Sequence, residues 1–140
     1  MSKFMLIMRA SDEAVEAYKD IPFEQVIERM GRYNEALMKA GVMIGGDGLA
    51  EEPGLVVDFS TETPLVTDGP YGETKELFSG FWMLEVPSIE EAAEWAKRCP
   101  LGPGSKLEVR RVTDESDFPA DNEWIEKEKG WREEEALRAQ

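Results

Sequence analysis

The stretch SGFWMLEVPSIEEAAEWAKRCP, residues 79–100, decides the fold. Its first eight residues form an apolar, aromatic-rich run, short enough for a buried strand and ended by Pro87. Ser88, with Glu91 three positions on, is a capping-box signature that opens a helix. Ile89, Ala92, Ala93 and Ala96 share one face of that helix, Lys97 and Arg98 occupy its last turn, and Pro100 stops it. A strand that feeds an amphipathic helix asks for a sheet on which the helix can lie.

The flanking sequence supplies that sheet. Residues 3–9 read as a first, central strand. SDEAVEAYKDIP, residues 11–22, suits a helical turn begun by Ser11 and ended near Pro22. FEQVIERMGRYNEALMKAG, residues 23–41, repeats Phe23, Val26, Ile27, Met30, Tyr33 and Leu37 at helical spacing and stops at Gly41. VMIGGDGL, residues 42–49, is a second strand whose glycines mark a bulge or a close backbone approach. GLVVDFSTETPLVTDG, residues 54–69, reads as a hairpin turning at residues 62–64. KLEVRRV, residues 106–112, alternates as a half-buried last strand.

The order strand, helix, strand, inserted hairpin, strand, helix, strand is the split β-α-β, ferredoxin-like α+β plan. Both helices then cover one face of an antiparallel sheet. The uncovered face calls for a second subunit, so a homodimer is expected. The chain divides into a domain over residues 1–113 and an acidic arm over residues 114–140, helical or extended. Glu128 with Arg132 and Glu134 with Arg138 support helix there. Trp124, Ile125 and Trp131 are the arm's large apolar anchors, expected to dock it.

Charge and composition exclude several functions. The net charge is −14, which repels phosphate backbones and anionic lipid, so neither nucleic-acid nor membrane binding is expected. The apolar run near the N-terminus is too short to span a bilayer. With Cys99 the single cysteine, no internal disulfide forms and a reducing, cytoplasmic setting is the reading. The chain has no histidine, which removes Ser-His-Asp and Cys-His chemistry and histidine-ligated metals. Cys99, near the end of the second amphipathic helix, then reads as a buried core thiol, and the methionines as core filler. No carboxylate spacing matches a calcium loop, so no metal is assigned. GGDG lacks the dinucleotide fingerprint, and no cofactor is assigned either.

Four segments together carry a resemblance: AGVMIGGDGL, VTDGPYGETKELFSGFWMLEV, EEAAEWAKRCP and LEVRRV. They resemble the YCII-related, DGPF-domain family of small bacterial proteins, over residues 3–112. Tyr71 stands where the family's name motif has Phe. The resemblance implies a dimer of the dimeric α/β barrel type and, at most, a regulatory context. It implies no known reaction. Smaller relatives have a proposed His-Asp pair in a cleft, and this sequence supplies only the acid, as Asp68.

Candidate site residues cluster around that motif. Asp68 before Gly-Pro is either a cap for its own turn or a general base in a cleft. Tyr71 packs or donates at a cleft mouth. In the ETKE run, Glu73 and Lys75 share a side, where Lys75 can neutralise Asp68 or a substrate carboxylate. A solvated charge run is the plainer reading. Asp47 beside the glycines is aimed into a site or is a turn residue. Strand parity puts Glu108 and Arg110 on the open face, where Arg9 and Glu85 can join them in charge pairs.

Two functions follow from these residues. One is a cofactor-free lyase, isomerase or hydrolase in which Asp68 moves a proton, Arg9 and Lys75 hold anionic groups, and Asp47, Tyr71 and Glu73 line the substrate. The other is a non-catalytic module, ligand-binding or regulatory, with the same loop as a rigid corner.

Overall fold

The computed structural model describes residues 1–52, 54–68 and 77–138. The elements run β1 (Ser2–Ala10), α1 (Asp12–Tyr18), α2 (Phe23–Lys39), β2 (Met43–Gly48), β3 (Leu55–Asp58), β4 (Leu65–Asp68), β5 (Leu77–Val86), α3 (Ile89–Lys97), β6 (Lys106–Arg111) and α4 (Glu123–Arg138). A single 3-10 turn, Glu115–Asp117, precedes α4. The main sheet has the order β2-β5-β1-β6, with antiparallel neighbours throughout. This is the ferredoxin-like α+β arrangement that the element order predicts. β3 and β4 pair only with each other, as a separate two-stranded arm.

Local chemistry explains the helix boundaries. The Ser11 hydroxyl accepts the Ala14 N–H at 3.1 Å and starts α1. Ser88 does the same for the Glu91 N–H at 3.2 Å and starts α3. At the end of α2, Gly41 adopts φ 71° and the Val42 N–H reaches back to the Leu37 carbonyl. This left-handed turn satisfies an otherwise orphaned carbonyl and costs glycine little.

Side-chain parity then sorts the sheet into two faces. Phe4 and Leu6 on β1, Trp82, Leu84 and Val86 on β5, and Val109 on β6 point toward the helices. Tyr33 and Leu37 from α2, Ala92 from α3 and Cys99 close that core. Tyr33 meets Trp82 edge-on at 5.5 Å between ring centres and donates its hydroxyl to the Trp95 carbonyl at 2.9 Å. Burial pushes the Cys99 thiol up to about 12 and raises the Tyr33 hydroxyl as well. An uncharged core thiol is what the missing histidine implies for Cys99.

Three expectations about apolar anchors shift. Phe23 and Ile27 at the start of α2, and Ile89 on α3, stay exposed, while Trp95 packs into the core in place of Ile89. Both helices meet the sheet over their middle and later turns, so their first apolar residues overhang. The C-terminal arm is a helix, yet Trp124 and Trp131 remain 63% and 57% exposed. Seven residues apart, they share one side of α4, while Ile125 lines a cavity against the sheet. Among the described residues, no helix is long and apolar enough to cross a membrane.

Candidate functional site

The strand pairings place the expected site residues. Arg9, Glu108 and Arg110 fall on the open face, as parity predicts: Ile7 faces Glu108 and Met5 faces Arg110 across β1 and β6. The Arg9 guanidinium donates to Glu108 at 3.0 Å, with the two side chains 39% and 36% exposed. A pair so open to water holds the strands' register more than it stores energy. Glu85 lies opposite Lys3, at the far end of β1 from Arg9. Asp68 ends β4, exposed and opposite Leu55. The arm therefore separates Asp68 from the main sheet. Tyr71, Glu73 and Lys75 lie outside the described residues.

Asp47 is paired with Phe81 at the edge of the main sheet, and both residues line a cavity of about 360 Å³. The pairings explain why space exists there. Gly46 lies opposite Trp82, Gly48 opposite Gly80, and Gly80 opposite Met8, all with helix-side parity. The positions that would fill the gap between α2 and the sheet therefore carry no side chain. Two of these glycines are sterically required. A Cβ on Gly46 would sit 2.8 Å from the Phe81 carbonyl oxygen, and one on Gly80 would sit 3.1 Å from the Asp47 carbonyl oxygen. At Gly48 a Cβ would meet nothing within 4 Å.

Over this bare floor stand Met8, Met43 and Trp82 from the sheet, with Met30 and Asn34 from α2. The Trp82 indole donates its N–H to the Asn34 side-chain oxygen at 2.7 Å. Because indole nitrogen can only donate, this bond fixes the Asn34 amide and leaves its NH2 as the end able to serve a bound molecule. Three thioethers and an indole give a polarizable, adaptable lining. Among the described residues, no Lys or Arg lines the cavity, and Asp47 is its one carboxylate.

Asn34 was missed by sequence reasoning, although a signal was present. Met30, Asn34 and Leu37 fall at i, i+4 and i+7, so Asn34 interrupts the apolar stripe of α2. A second cavity of about 320 Å³ lies between Lys3 and Met83 of the open face and Ile125, Lys129 and Arg132 of α4. Its α4 cations are neutralised within that wall, Lys129 by Glu115 at 2.7 Å and Arg132 by Glu128 at 2.8 Å. Among the described residues, no group of three or more potential metal ligands comes together.

Residues 2–116 match the family model described as the YCII-related domain. No curated protein matches the chain.

Proposed function

The chain belongs to the YCII-related domain family, and on that premise we propose that it is a non-catalytic module binding a small, uncharged, largely apolar molecule between α2 and the glycine floor of β2 and β5. The observation that carries this reading is the Asn34–Trp82 hydrogen bond at 2.7 Å. It holds one amide donor in place inside a cavity walled chiefly by Met8, Met30, Met43, Phe81 and Trp82, with Asp47 at its β2 edge. A volume of about 360 Å³ suits a small ligand, and apolar walls with one oriented polar group are the usual form of such sites. The ligand offers an acceptor, such as a carbonyl or ring nitrogen, to the Asn34 NH2. The Asp47 carboxylate at the cavity edge disfavours an anionic ligand.

The binding unit is a homodimer. Met5, Ile7, Phe81 and Met83 form a half-buried apolar stripe on the open face, and a second copy covers it. The competing reading is acid-base catalysis by Asp68. The exposed position of Asp68 on the arm offers none of the burial that prepares a carboxylate for proton transfer near neutral pH.

A thermal-shift screen of neutral metabolites separates the two readings. Gly48→Leu fills the cavity where a side chain meets open space, and Asp68→Asn tests the arm. The expected result is a ligand that raises the melting temperature of wild type and of Asp68→Asn, but not of Gly48→Leu. Stabilisation kept by Gly48→Leu and lost by Asp68→Asn would move the site to the DGPY loop and revive the catalytic reading.

A further inference from the structure

The hairpin arm and the open sheet face each carry exposed or half-buried apolar residues, with charge of opposite sign beside them. On the arm, the register sets Leu55 against Asp68 and Val57 against Val66, so these four residues share one side. All four are exposed. A two-stranded sheet standing alone is marginal in water, and a side this apolar asks for cover. The surrounding charge has one sign, for between Lys39 and Lys75 the sequence carries seven carboxylates and no Lys or Arg. Two arms laid against each other would bring like charges together, which an interface avoids.

The open face has the opposite character. Its apolar stripe of Met5, Ile7, Phe81 and Met83 is bordered by Lys3, opposite Glu85, and by Arg110, opposite Met5. Most cations of this acidic chain are ion-paired on their own element or a neighbouring one. Lys3 and Arg110 are exposed and have no ion-pair partner among the described residues. α4 lies over the Lys3–Met83 end of this face; the remainder, Met5, Ile7 and Phe81 with Arg110 beside them, presents apolar area next to positive charge. The arm presents apolar area with unanswered negative charge.

We propose that the arm of one copy docks by its Leu55, Val57 and Val66 side onto the open sheet face of a second copy, with Asp68 answering Lys3 or Arg110 of that copy. This rests on the homodimer reading above and names its contacts. It also gives Asp68 a role that requires no proton transfer, as an ionic anchor at an interface.

The test mixes unlabelled and 15N-labelled full-length chain, allows exchange, and applies a carbodiimide, which joins a carboxylate to an amine only in direct contact. The expected product is a peptide pair linking Asp68 to Lys3 with one light and one heavy partner. Sedimentation equilibrium runs in parallel. The triple substitution Leu55→Ser, Val57→Ser, Val66→Ser raises the dimer dissociation constant at least about tenfold, from the apolar area lost, and Asp68→Asn raises it by a smaller factor. All four positions are exposed in the single chain, so circular dichroism of the variants shows an intact body. Cross-links only within one isotope would mean that each arm covers its own sheet, and they overturn the proposal. A dimer that the triple variant leaves unchanged overturns it too, while the homodimer stands. Wild type sedimenting only at the chain mass of 15.8 kDa overturns both.

Discussion

Leu84 and Val57 each sit inside an antiparallel strand, yet Leu84 is completely buried and Val57 is 48% exposed. The difference lies in what is laid on the strand. β5 receives two helices on one face, so its alternate residues reach zero or near-zero exposure. β3 pairs with β4 and, among the described residues, with no other strand. Alternation therefore announces a strand with one apolar side, and it does not say which molecule supplies the cover. The helix-side core of the body is completed by its own helices, whereas the apolar side of the arm is exposed in the single chain.

Substitutions sharpen the contrast. Leu84→Ala removes a fully buried side chain and leaves a cavity, for an expected loss of about 2–5 kcal/mol in urea or thermal unfolding. Val57→Ala, equally apolar and equally mid-strand, is expected within about 0.5 kcal/mol of wild type when the chain is dilute enough to be monomeric. Comparable losses at both positions would show that the arm packs within its own chain. Gly46→Ala comes next. Its Cβ meets a backbone oxygen at 2.8 Å with no flexible neighbour to yield, so β2 must shift away from β5, at a cost of about 1–3 kcal/mol. Unchanged stability there would contradict the close approach of the two strands.

The alkaline limb of the stability curve gives a smaller effect than the Leu84 and Gly46 substitutions, and it belongs to the body alone. Cys99 and Tyr33 lie in one core cluster, and burial raises both groups. The folded chain keeps protons that the unfolded chain gives up, so their contribution is complete below the ordinary thiol range near 9.0 and is lost as pH rises toward 12. Chemical denaturation between pH 8 and pH 10 should show stability falling by about 1 kcal/mol. Cys99→Ala should flatten that limb. A flat limb in the wild type would mean that the thiol already titrates normally in the folded chain. The arm behaves oppositely, for Asp58 is held below its usual range by the Ser60 hydroxyl and by the Ser60 N–H at 2.8 Å. That turn therefore weakens as acid approaches the carboxylate range.

The body was legible in the sequence because every element announces itself locally. Ser11, Ser88 and Gly41 mark boundaries, and the run of residues 79–86 leads straight into a capped helix. The element order then leaves few ways to assemble a sheet. The open-face position of Glu108 and Arg110, and their company with Arg9, followed from parity alone. The cavity was not legible, because its floor is defined by missing side chains. Gly46, Gly48 and Gly80 come from two strands, and only the register shows that they lie side by side. The tryptophans of α4 misled for a related reason: ring size suggests an anchor, but direction on the helix decides what is anchored, and Ile125 takes that place. Asp68 is a different case, since the motif drew attention to it while its environment depends on pairing with Leu55.

The N–H of Leu49 meets the Ser79 carbonyl at 2.9 Å, just beyond the Gly48–Gly80 pair. The chain thus leaves the main sheet and returns to it at the same spot. All that lies between is an excursion of roughly 30 residues whose closure cost changes only logarithmically with length. The body therefore supplies a clamped socket, and the hairpin can be shortened, lengthened or replaced while Leu77 and Phe78 keep their pairing with Ala10 and Arg9. Grafting a foreign recognition loop between residues 49 and 77 is accordingly an engineering route that the ferredoxin-like body already accommodates.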